Sequence, residues 1–291
     1  MVKRVLQEIQ SRILCNNIIL GYPELKCEKD KVNLHCFYPE YTSQAEDNLG
    51  DYLSKVVVEW MLEQKSLTLS TKISEGGVRK HLYAIGSIML MGYQNATVWG
   101  TGFPFSPSYL RAIFNSKYFR KLDIRAVRGP LSRKILVDLG FDCSSVYGDP
   151  AVLMPLIYTP HDIEVQLDYL VIPHFSMENT IRKIIPEDHI ISMKTKDYKK
   201  VINKICSAKV VVSSSLHGII LAEAYGIPAV FVQDRPEKFN FKYQDWYEST
   251  NRTMEVYTNL EKALTVEKKE VPDLNQMRKN LIDSFPYDLW N

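Results

Sequence analysis

The sequence predicts an α/β protein built from two Rossmann-like domains that face each other across a cleft. Short apolar runs rich in β-branched residues alternate with helical patterns, which is typical of βαβ units and parallel sheets. This alternation pauses at a proline-containing linker near residues 155–160 and then resumes. A length of 291 residues with 45% hydrophobic side chains is enough for two cores of ordinary size.

The first series of elements predicts an N-terminal domain over residues 1–157. Its predicted elements are, in order, a strand at Val32–Tyr38, a helix at Leu49–Gln64, a strand, turn and helix within His81–Tyr93, a strand at Ala96–Phe103, a strand and helix within Asp123–Phe141, and a strand end with an extended link at Val146–Pro155. Pro130 suits the first turn of its helix and Gly140 suits the end, because Pro lacks an N–H and Gly tolerates left-handed backbone.

The second series predicts a C-terminal domain over residues 158–270. Its predicted elements are a strand at Asp168–Phe175, a helix at Met177–Ile185, a strand at His189–Met193, an amphipathic helix at Asp197–Ala208, a strand at Lys209–Ser214, a helix at Leu216–Gly226 and a strand at Pro228–Val232. Residues 271–291 contain a last helical pattern, which we expect to pack back on the N-terminal domain.

Composition and charge argue against several classes of protein. The chain has 36 basic and 34 acidic residues, a balance that argues against a dedicated nucleic-acid binder. Glu8 and Arg12 interrupt any apolar region of a signal peptide, and no window approaches the ~18 apolar residues of a membrane span. Five cysteines without C-x-x-C spacing indicate a reducing compartment, and the spacing of Cys27, His35 and Cys36 matches no zinc template. We expect a cytoplasmic protein without a metal.

In open parallel sheets, ligands bind beyond the carboxyl ends of the strands, so the strand-to-helix turns are the candidate sites. His217 falls in the first turn of a predicted helix, after a run of three serines. There, free N–H groups attract anions and the helix dipole keeps the imidazole usable as an acid or base near neutral pH. Physics alone leaves a catalytic role and a capping role for His217 equally open. The neighbouring candidates for substrate binding are Ser214, Ser215, Leu216, Gly218 and, inside the same helix, Glu223.

Two further turns supply candidates. Arg128 stands between a strand and a helix start, where a guanidinium suits a phosphate or a carboxylate, although surface arginines are common at such ends. Asp51 lies in the first turn of the first helix, beside Asn48 and Gly50, and is either an ordinary helix-start acid or a base.

Glycines and single polar residues at other strand ends give weaker signals. Gly100 and Gly102 permit a ligand to approach the backbone, but the G-x-G-x-x-G fingerprint of a dinucleotide site is incomplete. Asp149 and His174 mark polar turns in the two halves and are further candidates for substrate binding, although residues of this kind are more often structural than catalytic.

Taken in order, these motifs resemble the polysaccharide pyruvyl transferase family. The matching stretches are Asn48–Asp51, Val98–Gly102, Ala126–Ser132, Tyr147–Pro155 and Ser213–Pro228. The Leu-His-Gly element, with the helix and Gly-Ile-Pro that follow it, is the most specific of them. The others gain weight through their order and spacing.

The resemblance implies a fold like that of GT-B glycosyltransferases, with the acceptor on the N-terminal side and the donor on the C-terminal side. It implies transfer of pyruvate from phosphoenolpyruvate to a sugar, usually as a ketal across two hydroxyls, in capsule or exopolysaccharide biosynthesis and without a cofactor. His217 matches the catalytic histidine, Arg128 a donor-binding arginine and Asp51 the acidic position of the N-terminal motif. Some members carry arginine where this chain has Ser215. The second donor contact is then expected from Arg235, from a lysine such as Lys238, or from the serine hydroxyls and helix N–H groups.

The sequence leaves two other functions open. A GT-B glycosyltransferase would use a nucleotide sugar, and a non-catalytic glycan-binding subunit would bind sugar without turnover. For the pyruvyl transferase, we expect a sugar or a lipid-linked oligosaccharide as acceptor. The aromatic stretch Phe239–Ser249 is then expected to contact the inner membrane face.

Overall fold

A computed structural model of the chain describes residues 30–35, 47–73, 80–90, 95–174, 176–233, 237, 240–266 and 270–291. The candidate Arg235 lies outside these described residues, as does Lys238.

Four described strands form the first parallel sheet, in the order β1-β2-β3-β4. They are β1 (Val32–His35), β2 (Lys80–Tyr83), β3 (Ala96–Trp99) and β4 (Leu122–Ala126). The register pairs His35 with Tyr83 and Val98 with Ile124, and it shifts between Val98 and Trp99. Strands β1, β2 and β3 are short runs of mostly buried residues, as expected for a parallel sheet covered on both faces, whereas only two of the five residues of β4 are buried.

Helices of the first half are α1 (Leu49–Glu63), α2 (Tyr109–Phe114), α3 (Pro130–Asp138) and the short α4 (Met154–Ile157). In α1, Leu49, Leu53, Val57 and Met61 recur every fourth residue and are buried, so one stripe of the helix packs on the core. Full burial of each such side chain contributes roughly 1.5–3 kcal/mol. The prediction of α1 is confirmed to within one residue.

Two predictions in the first half are wrong. Residues 84–90 form bends and turns rather than a helix, because Gly86 has a φ of +108° and its carbonyl accepts a hydrogen bond from Thr101 Oγ1 at 2.7 Å. The expected extended link contains instead a 3₁₀ helix at Pro150–Leu153 that continues into α4. Asp149 caps this 3₁₀ helix and Pro150 occupies its first position, which is where proline favours helix initiation.

Three described strands form the second parallel sheet, β5 (Leu170–Ile172), β6 (Val211–Ser213) and β7 (Ala229–Phe231), in that order. Its helices are α5 (Glu178–Ile181), α6 (Tyr198–Cys206), α7 (Leu216–Ala224), α8 (Phe241–Ser249), α9 (Leu260–Leu264) and α10 (Asn275–Asp283), with 3₁₀ turns at Glu187–His189 and Tyr287–Trp290. The strand predicted at His189–Met193 is reduced to one bridge, between Ile190 and Val171.

One apolar cluster extends through both halves of the described chain. It includes Val57 and Trp99 from the first half and Ile172 and Ile219 from the second. The two parallel sheets are therefore joined by a shared core, and the α/β class is confirmed. The division at residues 157 and 270 and the GT-B arrangement stay predictions.

The C-terminal helix α10 and the turn after it contact the first half. Trp99 Nε1 donates to the Leu281 carbonyl at 2.9 Å, and the Tyr287 hydroxyl donates to the Met61 carbonyl at 2.7 Å. Lys80 Nζ donates to the Leu289 carbonyl at 2.8 Å. These hydrogen bonds hold the end of the chain against β2, β3 and α1.

Three aromatic side chains of helix α8 point into the protein. Tyr243, Trp246 and Tyr247 are buried and belong to the shared core. Membrane contact by this stretch stays a prediction. Among the described residues, no helix is both long and apolar enough to cross a bilayer.

Candidate active site

His217 is the second residue of α7, directly after strand β6. The N-cap residue Ser215 is extended, with φ −101° and ψ 125°, and among the described residues its side chain makes no capping hydrogen bond. The first N–H groups of a helix have no intrahelical acceptor, so this turn keeps backbone donors beside His217. The imidazole is 14% exposed, whereas nearly all of α7 is buried. The helix therefore presents one titratable side chain, at its positive end.

The serines before His217 mainly hold the turn together. Ser213 Oγ lies 2.9 Å from the Ile172 carbonyl and accepts the Ser215 N–H at 2.9 Å. Ser214 Oγ accepts the His174 N–H at 2.8 Å and so joins the ends of β5 and β6. Gly218 is required here, because a Cβ on it would lie 2.6 Å from Ser213 Oγ.

The carboxyl ends of β5 and β6 form a topological switch point. After β5, the chain crosses to Ile190 on the outer side of that strand, and it then returns to form β6 on the other side. Ligands of open α/β sheets bind in the crevice where the strand order reverses in this way. His174 and Ser214 lie at this point, and α7 begins beside it.

The start of α1 reaches the same place from the first half. Asn48 caps the helix, with its side-chain oxygen accepting the Gly50 N–H at 3.0 Å. Leu49 N donates to the Met193 carbonyl at 2.8 Å, which ties this helix start to the second half. A Cβ on Gly50 would lie 2.6 Å from both Cγ and Cε1 of His217 and closer still to Nδ1. Only glycine lets α1 approach the imidazole this closely.

Asp149 approaches His217 from the other side. Its carboxylate is fully buried, and Oδ2 lies 3.6 Å from His217 Nε2. Its other oxygen, Oδ1, accepts the Ala151 N–H at 3.0 Å. Gly100 supports this turn, since a Cβ on it would overlap the ring of Pro150.

Asp51 is a group with a shifted pKa among the charged side chains near His217. Burial raises the pKa of Asp51 to about 6, the charges of His217 and Lys242 oppose that rise, and the charge of Asp149 adds to it. A carboxyl group with a pKa near neutrality can both accept and release a proton at working pH. Two carboxyl groups, an imidazole and an ammonium thus influence one another at the junction of the two sheets.

Sequence reasoning missed Lys242, which lies in the first turns of α8 with Nζ 5.0 Å from the centre of the Tyr243 ring. The Tyr243 hydroxyl donates to the Ser214 carbonyl at 2.6 Å, so this part of α8 lies beside the turn that carries His217. The surrounding aromatic residues suggested a surface contact, and nothing in the local sequence pointed Lys242 toward Asp51.

Arg128 has a different environment from the one the motif suggested. The side chain is fully buried, with Nε 3.1 Å from Asp245 Oδ2, Nη1 2.8 Å from Ser87 Oγ and Nη2 2.6 Å from the Phe103 carbonyl. Gly102 packs directly on its guanidinium. Arg128 therefore joins the start of α3 to helix α8, and its role in donor binding stays a prediction.

Asp245, which sequence reasoning also missed, holds this second junction. Its carboxylate accepts hydrogen bonds from the Ser132 N–H at 2.9 Å and from Ser132 Oγ at 2.6 Å. Like Arg128, it is fully buried.

The structure does not bring Glu223 to the group around His217. Its carboxylate accepts hydrogen bonds from Arg252 Nη1 at 2.7 Å, from Arg252 Nη2 at 2.8 Å and from Trp246 Nε1 at 2.8 Å. These contacts give Glu223 a place in the packing of α7 on α8. Among the described residues, no three His, Cys, Asp or Glu side chains are grouped so that they could hold a metal ion.

Fold and site together define an α/β protein of two parallel sheets with an acid–base group where the sheets meet. The family model of polysaccharide pyruvyl transferases matches residues 29–234, which include every residue of this group except Lys242. The chain belongs to the polysaccharide pyruvyl transferase family. The family resemblance predicted from the sequence is confirmed.

Individual relatives are more distant. The chain is 27% identical over 216 residues to the uncharacterized protein L143 of Acanthamoeba polyphaga mimivirus, covering 72% of this chain and 70% of L143. It is 28% identical over 144 residues to the succinoglycan biosynthesis protein ExoV of Rhizobium meliloti, covering 46% of this chain and 42% of ExoV. A crystal structure of an uncharacterized protein from Klebsiella pneumoniae aligns with a TM-score of 0.49 and 13% identity, over 89% of this chain and 98% of the other.

Family membership and the similarity to ExoV support a transferase that moves a pyruvyl group in polysaccharide biosynthesis. The family implies a sugar or polysaccharide as the acceptor.

Proposed function

We propose that this protein transfers a pyruvyl group from phosphoenolpyruvate to two hydroxyls of one sugar, which it links as a ketal. The observation that carries the proposal is the group formed by His217, Asp51 and Asp149 at the start of α7. It combines an imidazole, a carboxyl group with a pKa of about 6 and a buried carboxylate. Such a group can both donate and accept protons near neutral pH.

The start of α7 is the proposed donor site. Phosphoenolpyruvate carries a phosphate and a carboxylate, and the free N–H groups and positive dipole of a helix start bind such anions. The N-cap side chain of Ser215 makes no capping bond within the described chain, which leaves the backbone donors of this turn for a ligand. Lys242 adds a positive charge near the same group.

Lys242 is the cation we propose in place of the arginine that some family members carry at the position of Ser215. Its charge acts on Asp51, beside His217. The Arg128 guanidinium lies at the other junction, with Asp245 and the Phe103 carbonyl. We therefore assign direct donor binding to Lys242 and the turn before α7. Arg128 then supports the site indirectly, by fixing α8 against α3.

The proposed reaction uses His217 as the acid and Asp51 as the base. The imidazolium gives its proton to the methylene carbon of phosphoenolpyruvate, and the adjacent carbon becomes an oxocarbenium-like centre. A sugar hydroxyl attacks this centre while Asp51 takes the hydroxyl proton. Phosphate leaves with the bonding electron pair, and the second hydroxyl closes the ketal and releases its own proton. A positioned acid or base typically contributes about 10²- to 10⁴-fold to the rate.

The acceptor we propose is a nucleotide- or lipid-linked precursor of a cell-surface polysaccharide in the cytoplasm. The polysaccharide biosynthesis named in the family and in ExoV supports this choice.

Calorimetric titration with phosphoenolpyruvate and a panel of nucleotide sugars tests the donor. We expect saturable binding of phosphoenolpyruvate that weakens roughly 10- to 100-fold in Lys242→Ala, since a hydrogen bond to a charged group contributes about 1.5–3 kcal/mol. Lys134→Ala is the matched control, because it removes one exposed positive charge that pairs with Asp138 on α3. His217→Ala is expected to bind the donor and lose turnover. Binding of one nucleotide sugar without phosphoenolpyruvate would refute the proposal in favour of a glycosyltransferase.

A further inference from the structure

We infer that Asp149 is a positioning residue for His217, holding the imidazole with its Nε2–H toward Asp149 and leaving Nδ1 for proton transfer. The inference deepens the proposed function and rests on it for the reaction in which Nδ1 takes part. It gives Asp149 a role different from the substrate contact that its place in the Gly-Asp-Pro turn suggested.

The two atoms that define this pair are both buried. Asp149 Oδ2 and His217 Nε2 lie 3.6 Å apart, and neither has a hydrogen-bond partner among the described residues. A buried polar atom left without a partner costs about 1–3 kcal/mol, and more when it is charged. An approach of a few tenths of an ångström converts the contact into a charge-assisted hydrogen bond that satisfies both atoms.

The carboxylate is held rigidly enough to orient a ring. Oδ1 caps the 3₁₀ helix at Pro150–Leu153 by accepting the Ala151 N–H. The preceding residue, Gly148, has a φ of +139°, and its N–H donates to the Val127 carbonyl at 3.0 Å. With both sides of the turn fixed in this way, Oδ2 points toward the start of α7.

The other imidazole nitrogen then faces the first turn of α1. Nδ1 is the ring atom nearest the position that a Gly50 Cβ would occupy. Asp51 follows Gly50 in the same turn, and its pKa responds to the charge on His217. A hydrogen bond from Nε2 to Asp149 would therefore leave Nδ1 as the reacting nitrogen, on the side of the ring where the proposed base stands.

Charged side chains from three elements surround the site. Asp149 from the 3₁₀ turn lies 3.6 Å from His217, and Asp51 from α1 responds to the charges of His217, Asp149 and Lys242 of α8. In the proposed reaction, the Asp149 carboxylate stabilises the positive charge of the ring before the proton transfer. The proton leaves Nδ1 for the donor's methylene carbon, and the neutral ring keeps its proton on Nε2. Asp149 thus never exchanges a proton with the substrate.

Nitrogen-15 NMR of the histidine side chains in the full-length protein tests the pair without any substrate. The chain has six histidines, and His217→Gln identifies the signal of His217 by its loss. When the wild-type ring is neutral, we expect it to carry its proton on Nε2. A wild-type ring with the proton on Nδ1 would overturn the inference, and this measurement needs no folded variant at Asp149.

Asp149→Asn is the matching variant, because an amide oxygen still caps Ala151 while the amide N–H₂ replaces the acceptor that faces Nε2. We expect the proton of the neutral ring to move to Nδ1, because the introduced amide N–H₂ donates to Nε2 instead of accepting from it. Asp197→Asn, which alters another capping carboxylate, at Lys200 N, is the control and is expected to leave the His217 signals unchanged. Unchanged signals in Asp149→Asn would also overturn the inference.

Kinetics then separate positioning from donor binding. Replacing the carboxylate that orients a catalytic histidine by an amide can lower kcat by up to about 10⁴-fold. We expect Asp149→Asn to lower kcat at least about 10²-fold while the dissociation constant of phosphoenolpyruvate stays within about two-fold. If Asp149→Asn moves the proton of the His217 ring but keeps the wild-type kcat, the positioning role is refuted. If the wild-type protein neither binds nor turns over phosphoenolpyruvate, the proposed function fails, while the NMR result still decides the Asp149–His217 pair.

Discussion

Replacing Gly50 by Ala is the smallest change that tests how the two halves form the site. Gly50 lies in the first turn of α1, and the missing Cβ is what allows His217 to lie against the helix backbone. An added methyl group would lie 2.6 Å from two carbon atoms of the imidazole. It would lie closer still to Nδ1. Ordinary contacts begin at about 3.5 Å, so either the ring or the helix must move by at least about 1 Å.

The effects on stability and on activity are expected to differ in size. Overpacking costs about 1–3 kcal/mol, and Ala in place of a helical Gly returns up to about 1 kcal/mol. The net loss of unfolding free energy is therefore about 0–3 kcal/mol. A displacement of about 1 Å at a catalytic group lowers the rate by about 10²-fold. Gly50→Ala is thus predicted to be a folded protein with little activity.

Thermal unfolding and steady-state kinetics with phosphoenolpyruvate measure the two effects side by side. Glu59→Ala on the exposed face of the same helix is the control, and we expect its kcat to be unchanged and its stability to shift by about 0.5 kcal/mol or less. A Gly50→Ala protein with wild-type kcat and wild-type stability would show that His217 does not lie against α1.

Three further predictions concern buried charges. Because burial raises the pKa of Asp51 from 3.8 to about 6, the folded state binds this proton more tightly, and unfolding free energy falls as pH rises through that window. Asp51→Asn is expected to raise the free energy of unfolding by up to about 3 kcal/mol at about pH 7 and to leave it unchanged below about pH 4, which urea titrations at both pH values check. The same variant is expected to abolish turnover. Arg128→Ala is expected to lose about 3–5 kcal/mol in urea unfolding because Asp245 stays buried without its cation, whereas a loss below about 1 kcal/mol would contradict the ion pair. Glu223→Gln is expected to lower the unfolding temperature by weakening its contact with Arg252, with an unchanged dissociation constant for phosphoenolpyruvate by calorimetry; a weakened donor affinity would instead place Glu223 in the binding site.

Elements with strong local signals were predicted well. Helix α1 was found to within one residue because its apolar side chains repeat with the helical period, and α3 begins at Pro130 as predicted. The predictions failed where a short stretch is compatible with more than one local structure. Residues 84–90 read as the start of a helix, but hydrogen bonds from Thr101 and Gly102 to the Gly86 carbonyl hold them as a loop. Those partners are distant in sequence and leave no local pattern.

In the candidate site too, some features follow from the local sequence and others depend on tertiary packing. The position of His217 at a helix start follows from the order of strand, serines and helix, which is local information. The environment of Arg128 does not, because Asp245 stands 117 residues later in the chain and sits in a stretch that looked like a surface. Lys242 was missed for the same reason, since its effect on Asp51 depends on how α8 packs.

The sequence by itself determined the α/β class, the turns that carry His217, Asp51 and Asp149, and the family. These features depend on the periodicity of apolar residues and on the chemistry of residues near one another in the chain. The tertiary structure alone decided that Asp149 and Gly50 both face His217, and that Asp51 is buried deeply enough to titrate near pH 6. Burial and charge–charge distances arise only when the two sheets pack together, because they join residues that are up to about two-thirds of the chain apart.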